Sequence, residues 1–134
     1  MAVLSSSQSL LPILAQALGT ILSLLTTVAG VRSIITPAPF ASHFGFPQKT
    51  SNSDETDPFI PVVGVRNIAT GLSVLAFSVQ QNRQAMGTVL LCNLASMIGD
   101  TVICVRRGTK GSEKSHLIAS VVFGVLGLSL ALAG

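Results

Sequence analysis

The sequence has few charged residues and few aromatic ones. Only 10% of its 134 residues are charged, and it contains no Trp and no Tyr. A soluble domain carries about 25% charged residues, so this composition argues against an ordinary soluble protein. A net charge of +3 without a dense basic stripe or stacking aromatics does not indicate nucleic-acid binding. The mean hydropathy of +0.68 instead predicts a membrane protein, with a single domain over residues 1–134.

Cysteine is also scarce, which excludes a disulfide framework. Cys92 and Cys104 fall in one predicted helix, about 120° apart around its axis, so they are not expected to form a bridge. Neither a zinc-binding spacing nor a redox motif surrounds them. We expect both to be buried as small apolar residues.

Four long apolar runs predict an all-α fold, a four-helix transmembrane bundle. The predicted spans cover about residues 10–31, 61–79, 85–105 and 117–133. The first run is longer than the core of a signal peptide and follows no Lys or Arg, so we expect a retained helix. Residues 32–60 are expected to form an interfacial or cytosolic loop. Its apolar first half, up to Pro47, is expected to lie in the interface or over the mouth of the bundle.

Basic residues in the loops predict the orientation. One side of the bundle holds only Arg83. The other side holds the remaining basic loop residues, which are Arg32, Lys49, Arg106, Arg107, Lys110 and Lys114. By the positive-inside rule this second side faces the cytosol, which places both termini in the lumen or outside. We expect an integral protein of the endoplasmic reticulum membrane.

Arg66 and Asp100 are charged residues inside two of the apolar runs. A charge in the hydrocarbon of a bilayer costs roughly 2.5–3.5 kcal/mol, so such residues are usually paired, hydrated or functional. Each lies about five residues, or about 7–8 Å, inside the same end of its span. The short turn Gln80–Gln84 makes the two spans antiparallel neighbours. We therefore predict that Arg66 and Asp100 face each other.

Polar residues recur at helical spacing near this pair. The second span carries Asn67, Thr70 and Gly71, the third carries Asn93, Met97 and Cys104, and the first carries Gln16, Thr20, Ser23 and Thr27. Two interpretations stay open: a wet polar pocket, or hydrogen bonds that only hold the helices together. The fourth span has a face of small residues that predicts close packing, made of Ser120, Gly124, Gly127 and Ala131.

Three short motifs resemble those of one family. They are Pro61–Leu72, which contains Gly64-Val65-Arg66-Asn67, then Gly99-Asp100-Thr101-Val102 and Phe44-Gly45-Phe46-Pro47. In these motifs the chain resembles the small four-span membrane proteins grouped as domain of unknown function 4267, from about Gly30 onward. That family has Gly-x-Arg-Asp on the second span, an Asp near the end of the third, and a Phe-Gly-x-Pro turn after the first. The Asp that follows the Arg in the family is Asn67 here, which removes one charge.

The resemblance implies the four-span bundle, and it implies a chemistry only loosely. Fungal members resemble accessory enzymes of lipophilic secondary metabolism, such as mycotoxin pathways, including those that open polyene epoxides. Opening an epoxide on a polyketide or terpenoid also suits the residues, since a buried carboxyl beside a cation can transfer a proton. An Asp–Arg–Asp/Asn cluster serves this reaction on a soluble fold, which is a chemical analogy only.

We assign roles to individual residues on this basis. Asp100 would transfer the proton, Arg66 would orient it and stabilise negative charge, and Asn67 and Asn93 would position water or the oxirane oxygen. Weaker candidates for substrate contact are Thr70, Met97, Thr27, Phe44, Phe46 and His116. No cofactor is expected, and the sequence has no Ser-His-Asp set and no phosphate loop. Asp100 with His43 and His116 is a weak candidate for a metal site.

Two other functions remain open. The chain could be a non-catalytic scaffold or chaperone for other membrane enzymes of a pathway, with the Arg66–Asp100 pair as a structural bridge. It could instead be part of a small transporter, which four spans could form only by self-association. In each case the expected partners are the lipid bilayer and either a lipophilic small molecule or other membrane proteins, and not nucleic acid.

Overall fold

The computed structural model describes residues 2–46 and 59–133, with side chains from Leu10 onward. Within these ranges the protein is helical and has no strand. The five helices are α1 (Ala2–Ile35), α2 (Pro37–Phe44), α3 (Phe59–Val79), α4 (Arg83–Arg107) and α5 (Ser112–Ala131). The expected all-α bundle is confirmed. The segment predicted as a loop over residues 32–60 differs, because its described part contains the end of α1 and the short helix α2.

Four of these helices are long and apolar enough to cross a membrane. They are Leu10–Ile35 within α1 and the whole of α3, α4 and α5. Their outer surfaces expose many large apolar side chains, which water would not tolerate over such an area. The protein is therefore an integral, multi-pass membrane protein. The helices run beyond the predicted spans because hydropathy marks only the apolar part, whereas backbone hydrogen bonds continue to capping residues such as Asn82.

Helices α1 and α3 pack antiparallel and in close contact. A Cβ added at Gly64 would collide with Ser33 and lie 2.6 Å from the carbonyl oxygen of Gly30. Further along, a Cβ at Gly71 would collide with the hydroxyl of Thr27. Small residues thus let the two backbones approach, as is common between membrane helices.

Helices α4 and α5 form a second close pair. A Cβ at Gly87 would collide with the backbone of Ala131 and lie 2.6 Å from the carbonyl oxygen of Gly127. The predicted small-residue packing of the fourth span is confirmed at Gly127 and Ala131. By contrast, a Cβ added at Gly99 would meet no atom of another residue within 4 Å, so this position of α4 is not closely packed.

The apolar core lies between these two helix pairs. Its buried members are Ala15, Val74, Met86, Leu90, Phe123 and Leu130. They come from all four long helices, so the core holds the α1–α3 pair against the α4–α5 pair. Helices α3 and α4 approach each other less closely than the partners within each pair, which leaves space between them for larger and polar side chains.

A short strap, Pro37–Phe46, crosses one end of the bundle. Gly45 ends α2 with φ 103°, a conformation that favours glycine. A Cβ at Gly45 would also collide with the side chain of Ser112 at the start of α5. The Thr109 N–H donates to the Gly45 carbonyl at 2.7 Å. The strap is therefore fastened to the α4–α5 connection, and we call this the strap end of the bundle and the opposite one the turn end.

The two cysteines are both free, as predicted, but only one is buried. Cys104 lies inside the bundle and Cys92 is exposed on its surface. The expectation that Cys92 is buried is wrong, because the face of α4 that carries it is turned away from α3 and α5. A thiol is apolar enough to be tolerated there against lipid.

Candidate functional site

An ion pair between α3 and α4 forms the centre of the candidate site. The Arg66 Nη1 donates to Asp100 Oδ1 at 3.1 Å, and Nη2 donates to Oδ2 at 2.7 Å. Two parallel bonds of this kind are the strongest geometry for an Arg and a carboxylate. The prediction that these residues face each other is confirmed.

The pair is covered on one side and open on the other. The Asp100 side chain is 7% exposed, whereas that of Arg66 is 31% exposed. A guanidinium has five N–H donors, and Asp100 accepts from two of them. The Arg66 Nε is buried and has no hydrogen-bond partner in the described part of the chain. The cation thus keeps donor capacity that its carboxylate partner does not use.

The pair faces the outside of the bundle. On α3, Gly71 faces α1, and Val74, which lies in the core, is about 60° from Gly71 around the helix axis. Arg66 lies about a further 80° in the same direction, past the core. On α4, Asp100 lies about 140° from Gly87, which contacts α5. Arg66 and Asp100 therefore meet where α3 and α4 border the surrounding lipid.

We call this outer border the α3–α4 seam. It is defined by Arg66, Ser73 and Phe77 on α3, and by Val89, Ser96 and Asp100 on α4. All of them except the buried Asp100 are half-buried. The sequence analysis did not single out the four seam residues that flank the pair. Ser73 and Phe77 lie seven and eleven residues after Arg66, and Val89 and Ser96 lie eleven and four residues before Asp100. Helical spacing from the two charged residues could therefore have identified all four.

Asn93 is the second polar residue between α3 and α4. Its carbonyl oxygen accepts from the Thr70 hydroxyl at 3.3 Å, and its side chain is almost fully buried. The Asn93 amide nitrogen has no partner among the described residues. Met97 packs against the core on the same helix, between Asn93 and Asp100. The structure thus brings Thr70 and Asn93 together between α3 and α4, with Asn93 two turns of α4, about 10 Å, from Asp100.

Asn67 does not join this group. It lies about 100° round α3 from Arg66 and within about 20° of the core residue Val74. It is half-buried, and its side chain makes no hydrogen bond to a described residue. The structure therefore places Asn67 toward the interior of the bundle and not beside the carboxylate of Asp100.

The polar stripe of the first span also lies elsewhere. The Gln16 Oε1 accepts from the Arg83 Nε at 2.8 Å, and Gln16 Nε2 donates to Gln81 Oε1 at 3.0 Å. Thr20 and Ser78 hydroxyls are 2.7 Å apart. These bonds join α1 to the turn end, far from the ion pair. For this stripe the structure supports the interpretation as hydrogen bonds that hold helices together.

The last member of that stripe has a packing role. The Thr27 hydroxyl donates to the Ser23 carbonyl at 2.9 Å, and Thr27 packs on Gly71. It therefore lies in the α1–α3 interface, on the side of α3 away from the seam. The structure does not bring Thr27 together with Arg66 and Asp100.

The aromatic residues of the strap contact the strap end of α4 and α5. The Phe44 ring lies 4.4 Å from the His116 ring and 5.5 Å from the Phe46 ring. The Phe44 carbonyl lies 3.0 Å from His116 Nε2 and accepts a bond from Cys104 Sγ at 3.5 Å. Cys104 is one helical turn beyond Asp100, so the strap covers the end of the bundle that holds the ion pair.

The remaining histidine is separate from this cluster. His43 is exposed on α2. Among the residues described, no group of three His, Cys, Asp or Glu side chains could hold a metal ion. The acidic residues Asp54, Glu55 and Asp57, like Lys49 and Pro47, lie outside the described ranges.

Comparison with known proteins shows the family. The profile of the domain of unknown function DUF4267 matches residues 23–130. The chain belongs to the DUF4267 family. The match spans most of the chain and includes both residues of the ion pair, so this pair lies within the part that defines membership of DUF4267. Neither the curated proteins nor the solved structures gave a match.

Proposed function

We propose that this DUF4267 protein is a membrane enzyme that opens an epoxide on a lipophilic molecule of the polyketide or terpenoid class. One observation carries the proposal. About a third of the Arg66 side chain is exposed on the lipid-facing side of the seam, with the Asp100 carboxylate buried directly behind it. An apolar epoxide dissolved in the bilayer reaches a cation and a base there without crossing the membrane surface.

The reaction needs only a proton acceptor and a hydrogen-bond donor. The Asp100 carboxylate takes a proton from a water molecule or from a hydroxyl of the substrate. The oxygen of that water or hydroxyl attacks an oxirane carbon at the same time. The C–O bond of the oxirane breaks, and the alkoxide that forms accepts a hydrogen bond from Arg66. Asp100 then returns its proton to the alkoxide. The product is a diol or a cyclic ether, and the enzyme is restored.

The available atoms suit these roles. An ionised carboxylate has about four lone-pair sites, and Arg66 occupies two of them, so Asp100 can still accept from a nucleophile. General acid–base catalysis of this kind contributes typically about 10²–10⁴-fold. Donors that are fixed in a water-poor site also stabilise the developing alkoxide more than they would in water.

The orientation in the membrane is part of the proposal. Among the described residues, the strap end carries Arg32, Arg106, Arg107, Lys110 and Lys114, whereas the turn end carries Arg83 alone. By the positive-inside rule the strap end would face the cytosol, with both termini in the lumen of the endoplasmic reticulum. The ion pair would then lie in the cytosolic half of the bilayer.

The test is incorporation of labelled water. Microsomes that contain the natural chain would be incubated with lipophilic epoxides in isotopically labelled water and analysed by mass spectrometry. We expect a labelled diol or a cyclic ether, and its loss in Asp100→Asn at equal expression. Thr101→Val, next to Asp100 but with its hydroxyl bonded to the Met97 carbonyl of its own helix, is the matched control and should retain activity. Equal product in Asp100→Asn and the natural chain would refute the proposal.

A scaffold without catalytic activity is the second candidate. It is favoured by the same two short bonds, since a closed Arg–carboxylate pair also suits a purely structural bridge between helices. On that view, Arg66→Gln combined with Asp100→Asn would keep every function of the chain, because two amides can replace the bridge. Full function of the double variant, measured as pathway output in the host, would favour the scaffold over the enzyme.

A further inference from the structure

The α3–α4 seam continues from the ion pair to a groove at the turn end. This open groove has a volume of about 430 Å³ and is lined by Phe77, Asn82, Gln84, Ala85, Thr88 and Val89. Phe77 and Val89 also belong to the seam. The groove and the ion pair therefore lie on the same outer border between α3 and α4, and not on opposite sides of the bundle.

Helix geometry gives the distance between them. Thr88 and Asp100 are twelve residues apart in one continuous helix, which corresponds to about 18 Å at 1.5 Å per residue. Ser73 and Ser96 are the seam residues between the two ends. The hydroxyl of Ser73 donates to the Ala69 carbonyl of its own helix, so it presents little polar surface. Both side chains are small and half-buried, so no bulky residue separates the ion pair from the groove along the seam.

The two ends of the seam differ in chemistry. One end holds a charged pair with unused N–H donors, and the groove at the other end exposes mostly apolar surface, although Asn82, Gln84 and Thr88 are among its lining residues. Arg66 lies seven residues inside the first residue of α3, about 10 Å from that helix end. Phospholipid headgroups stay at the membrane surface, so an oxygen that meets Arg66 at this depth belongs to a molecule that lies entirely within the bilayer. The molecule that contacts Arg66 is therefore a substrate buried in the bilayer, and not an ordinary phospholipid.

We propose that the α3–α4 seam selects its substrate by length. The occupant is an elongated apolar molecule of about 18 Å, with its epoxide at Arg66 and Asp100 and its far end in the groove beside Thr88. Phe77, Thr88 and Val89 are the residues that determine specificity. The inference rests on the proposed function for the identity of the reacting group, and the experiment below separates the two.

Thr88→Phe fills the groove without disturbing the core, because Thr88 is exposed and its hydroxyl donates to the Gln84 carbonyl of its own helix. Ser129→Phe is the matched control on α5. Ser129 is also exposed, its hydroxyl donates to the Val125 carbonyl, and it lies near the same depth, next to Leu128 and Leu130. Both variants add an aromatic ring to a lipid-facing helix at the turn end, but only one adds it to the groove.

The first measurement is turnover of straight-chain 1,2-epoxyalkanes of graded length by protein in lipid nanodiscs. We expect kcat/KM to rise with chain length until the tail fills the groove. Thr88→Phe should lower kcat/KM at least about tenfold for the longest epoxyalkanes and leave it unchanged for the shortest. Ser129→Phe should leave kcat/KM unchanged at every chain length. Turnover that does not depend on length, or equal profiles for the two variants, would overturn the inference and leave the epoxide-opening function standing.

The second measurement does not require turnover. A straight-chain epoxide with a diazirine at its far end would be photolysed in the nanodiscs, and the labelled residues mapped by mass spectrometry. We expect labels in Ala85–Val89 that are lost in Thr88→Phe and kept in Ser129→Phe. These labels without any turnover would support the seam as the binding site and reject epoxide opening. Labels spread evenly over the lipid-facing helices would overturn the seam inference.

Discussion

Removal of one partner of the ion pair should destabilise the bundle by an amount that depends on which partner remains. A buried pair that loses one member costs about 3–5 kcal/mol, because the other charge is left without compensation. In Arg66→Gln the carboxylate left behind is 7% exposed, so we expect a loss of about 3 kcal/mol. In Asp100→Asn the guanidinium left behind is 31% exposed, and its long side chain can reach toward the membrane surface, so we expect a smaller loss, about 2 kcal/mol.

The double variant, Arg66→Gln combined with Asp100→Asn, allows the coupling between the two positions to be measured. Two amides at positions 66 and 100 can bond to each other, so we expect the double variant to lose only about 1 kcal/mol and to be more stable than either single variant. The coupling energy between the two positions should then be about 4 kcal/mol. A coupling this large is well above the average of about 0.6 kcal/mol for hydrogen bonds between membrane helices.

The assay is equilibrium unfolding in lipid bicelles, measured by steric trapping at two positions on α1 and α5. Thr70→Val is the control, since it removes a neighbouring bond of 3.3 Å between neutral groups and should cost about 0.6 kcal/mol. A coupling energy below about 0.5 kcal/mol would show that the ion pair does not hold α3 to α4, and the reasoning from burial would fail. Activity that stays lost in a stable double variant would separate the chemical role from the structural one.

Two further predictions concern the glycines. Gly87→Ala should destabilise the α4–α5 pair by about 1–3 kcal/mol, because the added methyl group overpacks the interface. Gly99→Ala is the control, and because the space around it is open it should change stability by less than about 0.5 kcal/mol. Equal effects of the two substitutions on thermal unfolding would contradict the expected packing. Gly45→Ala should detach the strap, because its φ of 103° and its contact with Ser112 leave no room for a methyl group. Faster hydrogen exchange at the Thr109 amide would report the detachment, and unchanged exchange would show that the strap tolerates the methyl group.

The pairing of Arg66 with Asp100 shows how much a sequence can determine in a membrane protein. Hydrocarbon forces each apolar run to be a helix, and a short turn forces consecutive helices to be antiparallel neighbours. Two charges at equal depth then have no better partner than each other. The face of small residues Ser120, Gly124, Gly127 and Ala131 likewise predicts close packing of α5, and the structure shows that packing against α4 at Gly127 and Ala131.

The positions of the amides and hydroxyls could not be predicted in this way. Asn67 and the stripe from Gln16 to Thr27 follow the same helical spacing as the residues of the site, but they face the interior, α1–α3 contacts or the turn end. Rotation of a helix about its axis is set by packing against its neighbours, and the sequence of one helix does not specify it. The close approach of α1 to α3 through Gly64 and Gly71 fixes that rotation and turns Asn67 away from Asp100.

The sequence by itself determined the class of protein, the number of spans and the meeting of the two charges, because each follows from the cost of polar groups in lipid. Only the tertiary structure decided that α2 crosses the strap end and that the ion pair opens outward. Both depend on contacts between residues far apart in the chain, such as Gly45 with Ser112 and Gly87 with Ala131, whose fit no local pattern encodes.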